Sequence, residues 1–449
     1  MLLLLAASAA LAEPAPPPHG NFLYPYRYGE LALMLDSSGK FMDGVVAASA
    51  FGDAQATQDW LVTELYEAFF ASHDSGDYDF VIVVTSDHFG SGGAFYAPVS
   101  NAIEGIGQPL LAPGDGPGAD PDGALQGMIF MNAASVWQGN EAAGRYVFNN
   151  TLGQRWCGAA SVALDGLPDD ALRSGHGSWS YWLSTGNSPC GGNDWVYTGG
   201  DTMSVYATAP SAYTDLDLYV MGLLEPEAVA PLELMLVAAD EQERVGRDAG
   251  SRPEHLSVVG LDKDETVTVS AEVLSITVDD VVAAEGPRLP AVSDSQRDFR
   301  AAFVYLSLEG DAVDRETLDR IDALRLDFVD WWQEAVRDLA TLDTTLGDSL
   351  APEVTFPGED VDTGAAPEDT GDTGDTGDSG STGDSGSADT DAPADSDAPA
   401  TDSDAADGPA AAIPESTCSC TQPAGAPTPV ALLLPLLFLF RRAHHGEPR

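Results

Sequence analysis

The chain has 449 residues and carries 72 Asp and Glu against 19 Lys and Arg, a formal net charge of −53. Lys40 and Lys263 are its lysines, so there is no basic patch to neutralise phosphates and no support for a nucleic-acid partner. Acidity of this size favours solubility outside the cell.

Residues 1–12, MLLLLAASAALA, are apolar and end in Ala10-Leu11-Ala12, followed at once by Glu13 and PAPPP. That is the pattern of a secretory signal with an A-x-A cleavage site, short and without a basic start. FLYPYRY and LALMLD read as short strands, with DSSGK as the turn that follows. Residues 54–72 place Trp60, Leu61, Leu65, Phe69 and Phe70 at helical spacing. YDFVIVVTS, residues 78–86, is a β-branched run bounded by polar residues, which predicts a buried strand. The stretch 89–131 is rich in Gly and Pro and closes on a short strand in LQGMIFMN, read as an edge strand.

Residues 145–156, RYVFNNTLGQRW, predict the end of a helix spanning about 140–156. Phe148, Leu152 and Trp156 recur every four residues and share a face, and Asn150 and Gln154 share another. Beyond it, 158–215 reads as loop-rich with Trp179, Trp182 and Trp195, and LDLYVMG is a tight apolar run. Residues 265–281 alternate as strands do, suggesting a small β-rich insertion near 235–290. FVYLSL, residues 303–308, is a further strand. A helix over about 315–339 carries the stripe Leu318, Ile321, Leu324, Phe328, Trp331, Trp332, Ala335 and Leu339, with Asp314 as its N-cap.

Residues 351–417 hold 18 Asp and Glu and no Lys or Arg. Such a segment has little to bury and repels itself, so an extended linker is expected. Its repeated Asp and Gly lack the spacing and terminal Glu of a calcium loop. Residues 418–449 join Cys418-x-Cys420, an apolar run from Val430 to Phe440, and Arg441-Arg442. Eleven apolar residues are short for a membrane span, and the following arginines favour an inward-facing end if the run inserts. Of the four cysteines, Cys157 and Cys190 lie in the folded part, 20–350. In an exported chain they are expected to pair, stabilising the fold by about 3 kcal/mol, and the absence of a CxxC pair argues against a structural zinc cluster.

The stretches YDFVIVV, AFYAPVSNAIEGIGQP, LQGMIFMN, LGQRW, SWSYWL, LDLYVMGLLEPEAV, DDVVAAEGPRLP, SQRDFRAAFVYLSLEG and the final helix occur in this order over about residues 55–346. Together they resemble a family of secreted bacterial zinc metalloproteases with HELGHRW and LDLYLMGL motifs. The resemblance implies an α+β, zincin-like fold: a mixed sheet, an active-site-type helix and a long C-terminal helix. The tail resembles the C-terminal sorting segments of myxobacterial-type exported proteins, which implies sorting or membrane machinery as a partner and display at the cell surface or outer membrane, or release from it.

At the motif itself the sequence departs from the family. Asn150 and Gln154 stand at the two His positions and Thr151 at the catalytic Glu. Asn and Gln offer a carbonyl oxygen in place of an imidazole nitrogen, and a threonine hydroxyl cannot take a proton from water as a carboxylate does. No intact catalytic set and no cofactor are expected. Three readings follow: a pseudo-peptidase that binds a peptide or protein without cutting it, a zinc peptidase with a relocated site using His176 or Asp217, and a stalked structural protein. A groove beside Asn150 and Gln154 that is plugged by the segment 158–200 would favour the third. His176 stands near the expected third-ligand region and is read first as a loop histidine. His73 and His88 read as surface residues. Met221 reads as core rather than the floor of a metal site, and Asp217 as a residue orienting a turn.

Overall fold

The first two apolar runs form a hairpin. β1 (Tyr24–Tyr28) pairs antiparallel with β2 (Leu31–Leu35), and Gly29 at φ 57° makes the turn. This is a computed structural model, and it describes residues 22–43, 54–88, 94–113, 123–164, 166–174, 177–199, 202–206, 212–248, 266–311 and 313–356. The signal-like segment 1–12, His176, most of the linker, and the tail with Cys418, Cys420, Arg441 and Arg442 lie outside them.

Next in the chain come helix α1 (Ala54–Phe70) and β3 (Phe80–Thr85), then β4 (Phe95–Pro98) and β5 (Gly127–Ala133). β12 (Asp298–Ser307), reached 165 residues later in the numbering, inserts between β2 and β3 and runs parallel to both. β5 is parallel to β3, and β4 lies antiparallel on its outer side. The sheet order is β1-β2-β12-β3-β5-β4, with β13 (Thr341–Asp343) beside the start of β12. The edge strand is therefore FYAP, inside the stretch read as irregular, and LQGMIFMN supplies an inner strand.

Alternation along β3 sorts the core into two layers. Val81 and Val83, with Ala302, Val304 and Leu306, face Leu61, Leu65 and Phe69 of α1. Phe80, Ile82 and Val84, with Ala301, Phe303 and Tyr305, belong to the layer of Phe148, Leu152, Leu318, Ile321, Phe328 and Trp332. Both faces of the parallel strands are covered, which explains their unbroken apolar runs.

The long helix α7 is Arg315–Ala335, and before it come α2 (Ala134–Trp137), α3 (Glu141–Gly153), α4 (Asp215–Met221), α5 (Ala239–Asp248) and α6 (Val278–Glu285). Asp314 caps α7 by accepting from Thr317 N at 2.8 Å. The helix stops four residues before the expected Leu339, because Arg337 and Asp338 take φ of 58° and 57°.

The region read as loop-rich, and the expected insertion near 235–290, form one second sheet. Its strands are β6 (Trp179–Ser184), β7 (Gly191–Asn193), β8 (Trp195–Gly199), β9 (Thr202–Tyr206), β10 (Leu232–Val237) and β11 (Thr266–Ile276), in the order β7-β6-β10-β11-β9-β8. β6 pairs with β10 and β9 with β11, so each segment completes the other. Trp182 stacks on Trp195 at 5.6 Å over Met235, Val237 and Val269.

The first six residues of the expected linker are folded. Arg27 N donates to Pro352 O, Val354 N donates to Arg27 O, and the Phe356 ring meets Tyr28 edge-on at 6.2 Å. Among the described residues no helix is long and apolar enough to cross a membrane.

His88 is exposed, as expected, but His73 is 6 % exposed. It stacks on Phe69 at 4.1 Å, and its Nδ1 faces Phe69 O at 3.0 Å and Ser72 Oγ at 3.1 Å. Burial holds the imidazole below its usual range, and the Arg27 charge adds to this against the Phe69 carbonyl. A histidine depressed in the folded state gives stability that is present above the unfolded value, about 6.5, and lost as pH falls below it. Urea midpoints should therefore fall between pH 7.5 and 5, and His73→Leu should reduce that fall. An unchanged pH dependence in the variant would count against the buried neutral ring.

Candidate functional site

Helix α3 is fixed between the first sheet and α7. Phe148 stacks on Phe328 at 4.4 Å, and Asn149 Nδ2 donates to Trp331 O at 3.1 Å. Gly144 lets the Trp331 ring approach, since a Cβ there would lie 2.6 Å from it. Regular helix ends at Gly153, three residues short of the expected Trp156. Gln154 caps it, and Trp156 N and Cys157 N both turn back to Gly153 O at 2.9 Å. A Cβ on Gly153 would meet Cys190 Sγ at 2.9 Å, so this glycine marks where a second segment presses on the helix. Trp156 stays buried, edge-on to Phe80 and Phe299.

The three motif positions are close together and turned to structural use. Asn150 Nδ2 donates to Pro189 O at 2.7 Å, and Gln154 Nε2 donates to Asn150 Oδ1 at 3.3 Å. Thr151 is 1 % exposed and its hydroxyl donates to Val147 O at 2.7 Å, one turn back. Gln108 Nε2 reaches Gln154 O at 3.1 Å and Cys157 O at 3.3 Å, tying the helix end to the loop after β4.

Pro189 belongs to the 185–190 loop between β6 and β7, and this loop is fastened at several points. Cys157 and Cys190 form a disulfide, with Cα atoms 5.9 Å apart, as the sequence led us to expect. Cys190 O accepts from Trp179 N at 2.8 Å. Ser188 Oγ accepts from Cys190 N at 2.9 Å and donates to Asp217 Oδ2 at 2.6 Å. The closed loop spans 33 residues, so reducing or removing the bridge (Cys157→Ser with Cys190→Ser) should cost about 3–4 kcal/mol of unfolding free energy. Urea denaturation with and without reductant measures this, and coincident curves would contradict it.

Asp217 is fully buried and organises the junction. Its Oδ1 accepts from Trp179 Nε1 at 2.5 Å, and its Oδ2 from Ser188 Oγ, Thr214 N and Thr214 Oγ1 at 2.6–2.8 Å. It is the N3 residue of a capping box with Thr214 that starts α4. Burial pushes its carboxyl above the ordinary range, and the hydrogen bonds from Ser188, Trp179 and Thr214 oppose that. Met221 is plain core, as expected, and its carbonyl accepts from Arg288 Nη2 at 2.9 Å.

A peptidase zinc does not fit the motif positions. They offer two amides, joined to each other and to Pro189, and a buried hydroxyl facing its own helix. Asp217 lies with the sulfurs of Cys157 and Cys190 within 4.8 Å of one another, but those sulfurs are bonded as a disulfide. Sequence reasoning missed Trp179, Ser188 and Pro189 as partners of these residues. The Thr214-x-x-Asp217 spacing was the one visible sign of the cap. It also missed Arg155, buried beside Gln154, which donates to Asn101 Oδ1 at 2.8 Å and Gln126 Oε1 at 3.1 Å.

Comparison with protein-family models, with curated proteins and with solved structures finds no match to this chain.

Proposed function

We propose that the folded part is a non-catalytic relative of the zincin-type metalloproteases, exported and held away from the cell on its acidic linker as a stalked structural protein. The observation that carries this reading is the hydrogen bond from Asn150 Nδ2 to Pro189 O, which seats the 185–190 loop on the helix face where a zinc and its water would be needed. Thr151 turned to Val147 O and the Cys157–Cys190 bridge support the same reading. A mixed sheet with an antiparallel outer strand and a helix following it agrees with a zincin-like frame. The linker and the Cys-x-Cys, apolar and Arg-Arg tail point to sorting or membrane machinery at the C-terminus.

The pseudo-peptidase reading keeps one favourable observation. β4 is the outer strand of the first sheet, and an extended peptide can lengthen a sheet at such an edge. The relocated-site reading finds no free ligand beside Asp217 in the oxidised chain, because the two sulfurs within 4.8 Å of its carboxylate are bonded to each other.

Metal analysis of the purified, oxidised full chain, together with a casein assay, tests the proposal. We expect neither one equivalent of zinc nor cleavage. Stoichiometric zinc with cleavage that Asn150→Ala or Gln154→Ala abolishes would overturn it.

A further inference from the structure

We infer that in the reduced chain Cys157, Cys190 and Asp217 make a buried site for a thiolate-seeking divalent cation such as Zn²⁺. This site is distinct from the motif positions on α3 and does not depend on how those positions are read.

The geometry comes first. One ligand atom from each of the three residues lies within 4.8 Å of the other two. A tetrahedral zinc with Zn–S of about 2.3 Å holds two thiolates roughly 3.8 Å apart, so opening the disulfide requires the sulfurs to separate by rotation about their own side chains. The Cα separation of 5.9 Å is set by the backbone and need not change.

A second observation concerns Asp217. It is a fully buried carboxylate, and among the described residues no Arg, Lys or His is one of its hydrogen-bond partners. A buried anion without a counter-cation is costly, and a bound cation removes that cost. One oxygen has room for it. Oδ2 takes three donors, but among the described residues Oδ1 takes only the Trp179 N–H, and a carboxylate oxygen offers about two lone-pair sites. The same Trp179 and Ser188 contacts would then hold the carboxylate as outer partners of a metal ligand.

The chemistry balances. A dithiol reductant attacks the Cys157–Cys190 bond, passes through a mixed disulfide and closes to its own cyclic disulfide, delivering two electrons and leaving two protein thiols. The cation then binds the two thiolates and Asp217, displacing the thiol protons. Two soft sulfurs and one oxygen suit zinc over calcium or magnesium. The cation would join α3 to the 185–190 loop where the disulfide joins them now.

The test uses the full chain carrying Cys418→Ser and Cys420→Ser, so that the tail thiols cannot contribute. After phosphine reduction under nitrogen, Co²⁺ is titrated and the near-ultraviolet thiolate-to-cobalt absorption recorded. We expect one equivalent to bind the reduced chain, with Zn²⁺ displacing it, and none to bind the oxidised chain. Cys157→Ser should abolish the band, and Asp217→Asn should weaken binding about tenfold or more. Absence of the band, or equal affinity in Asp217→Asn, overturns the site. If reduction unfolds the chain, recovery of the native near-ultraviolet circular dichroism on adding Zn²⁺ is the readout. Failure to recover overturns the proposal equally.

Discussion

Asp217→Ala should destabilise the folded domain by roughly 3–5 kcal/mol, among the largest losses from any single truncation in the chain. The methyl group strands the buried Trp179 indole N–H and the part-buried Thr214 backbone N–H, and a stranded buried donor costs about 1–3 kcal/mol. Ser188 and the Thr214 hydroxyl lose an acceptor as well, and with Ser188 goes one fastening of the 185–190 loop. Relief of a buried, unpaired negative charge offsets part of this, which is why the figure stays below the sum. Asp217→Asn should cost less. Its amide oxygen can serve the three donors at the Oδ2 position, leaving a single donor-to-donor conflict with Trp179. Urea unfolding of both variants measures the two losses. Equal stability of Asp217→Ala and the wild type would mean that the junction is not held by this carboxylate.

The contrast between Asp217 and the Cys pair shows what the sequence made legible. A disulfide needs only two residue types and a compartment, so Cys157–Cys190 could be read directly. Two of the four donors on Asp217 come from residues 38 and 29 positions away, and neither Trp179 nor Ser188 carries a local sign of that role. The same difference separates the two sheets. β3 and α7 show their periods within their own residues, so their existence was readable and only their ends moved. The second sheet is assembled from short segments, interrupted by Gly186, Gly191 and Gly192, that pair across dozens of residues. No local window contains that pairing. The outer strand β4 was hidden for a related reason, because four residues beside a Gly-rich run give too little alternation to count.

Placing zinc-peptidase residues on α3 with Asn150→His, Thr151→Glu and Gln154→His should destabilise the domain by on the order of 4 kcal/mol at neutral pH, and the oxidised chain should take up no zinc at these positions. Helix propensity alone argues otherwise, since Glu forms helix better than Thr and His about as well as Asn. Burial decides it. Thr151 is 1 % exposed with its hydroxyl on Val147 O, so a glutamate there must enter a packed space with no basic side chain bonded at that position. Asn150→His also removes the donor to Pro189 O and sets a larger ring against the 185–190 loop. The sign of the pH dependence follows from the buried carboxyl. Its folded pKa would lie above the unfolded value of about 4.3, so the penalty is absent below that value and grows as pH rises through the folded one. The deficit of the triple variant relative to the wild type should therefore shrink at pH 4 and widen at pH 7.5, as read from paired urea titrations. A triple variant as stable as the wild type at pH 7.5, with one zinc bound, would show that the loop lifts from the helix and that the face beneath it is an open cleft.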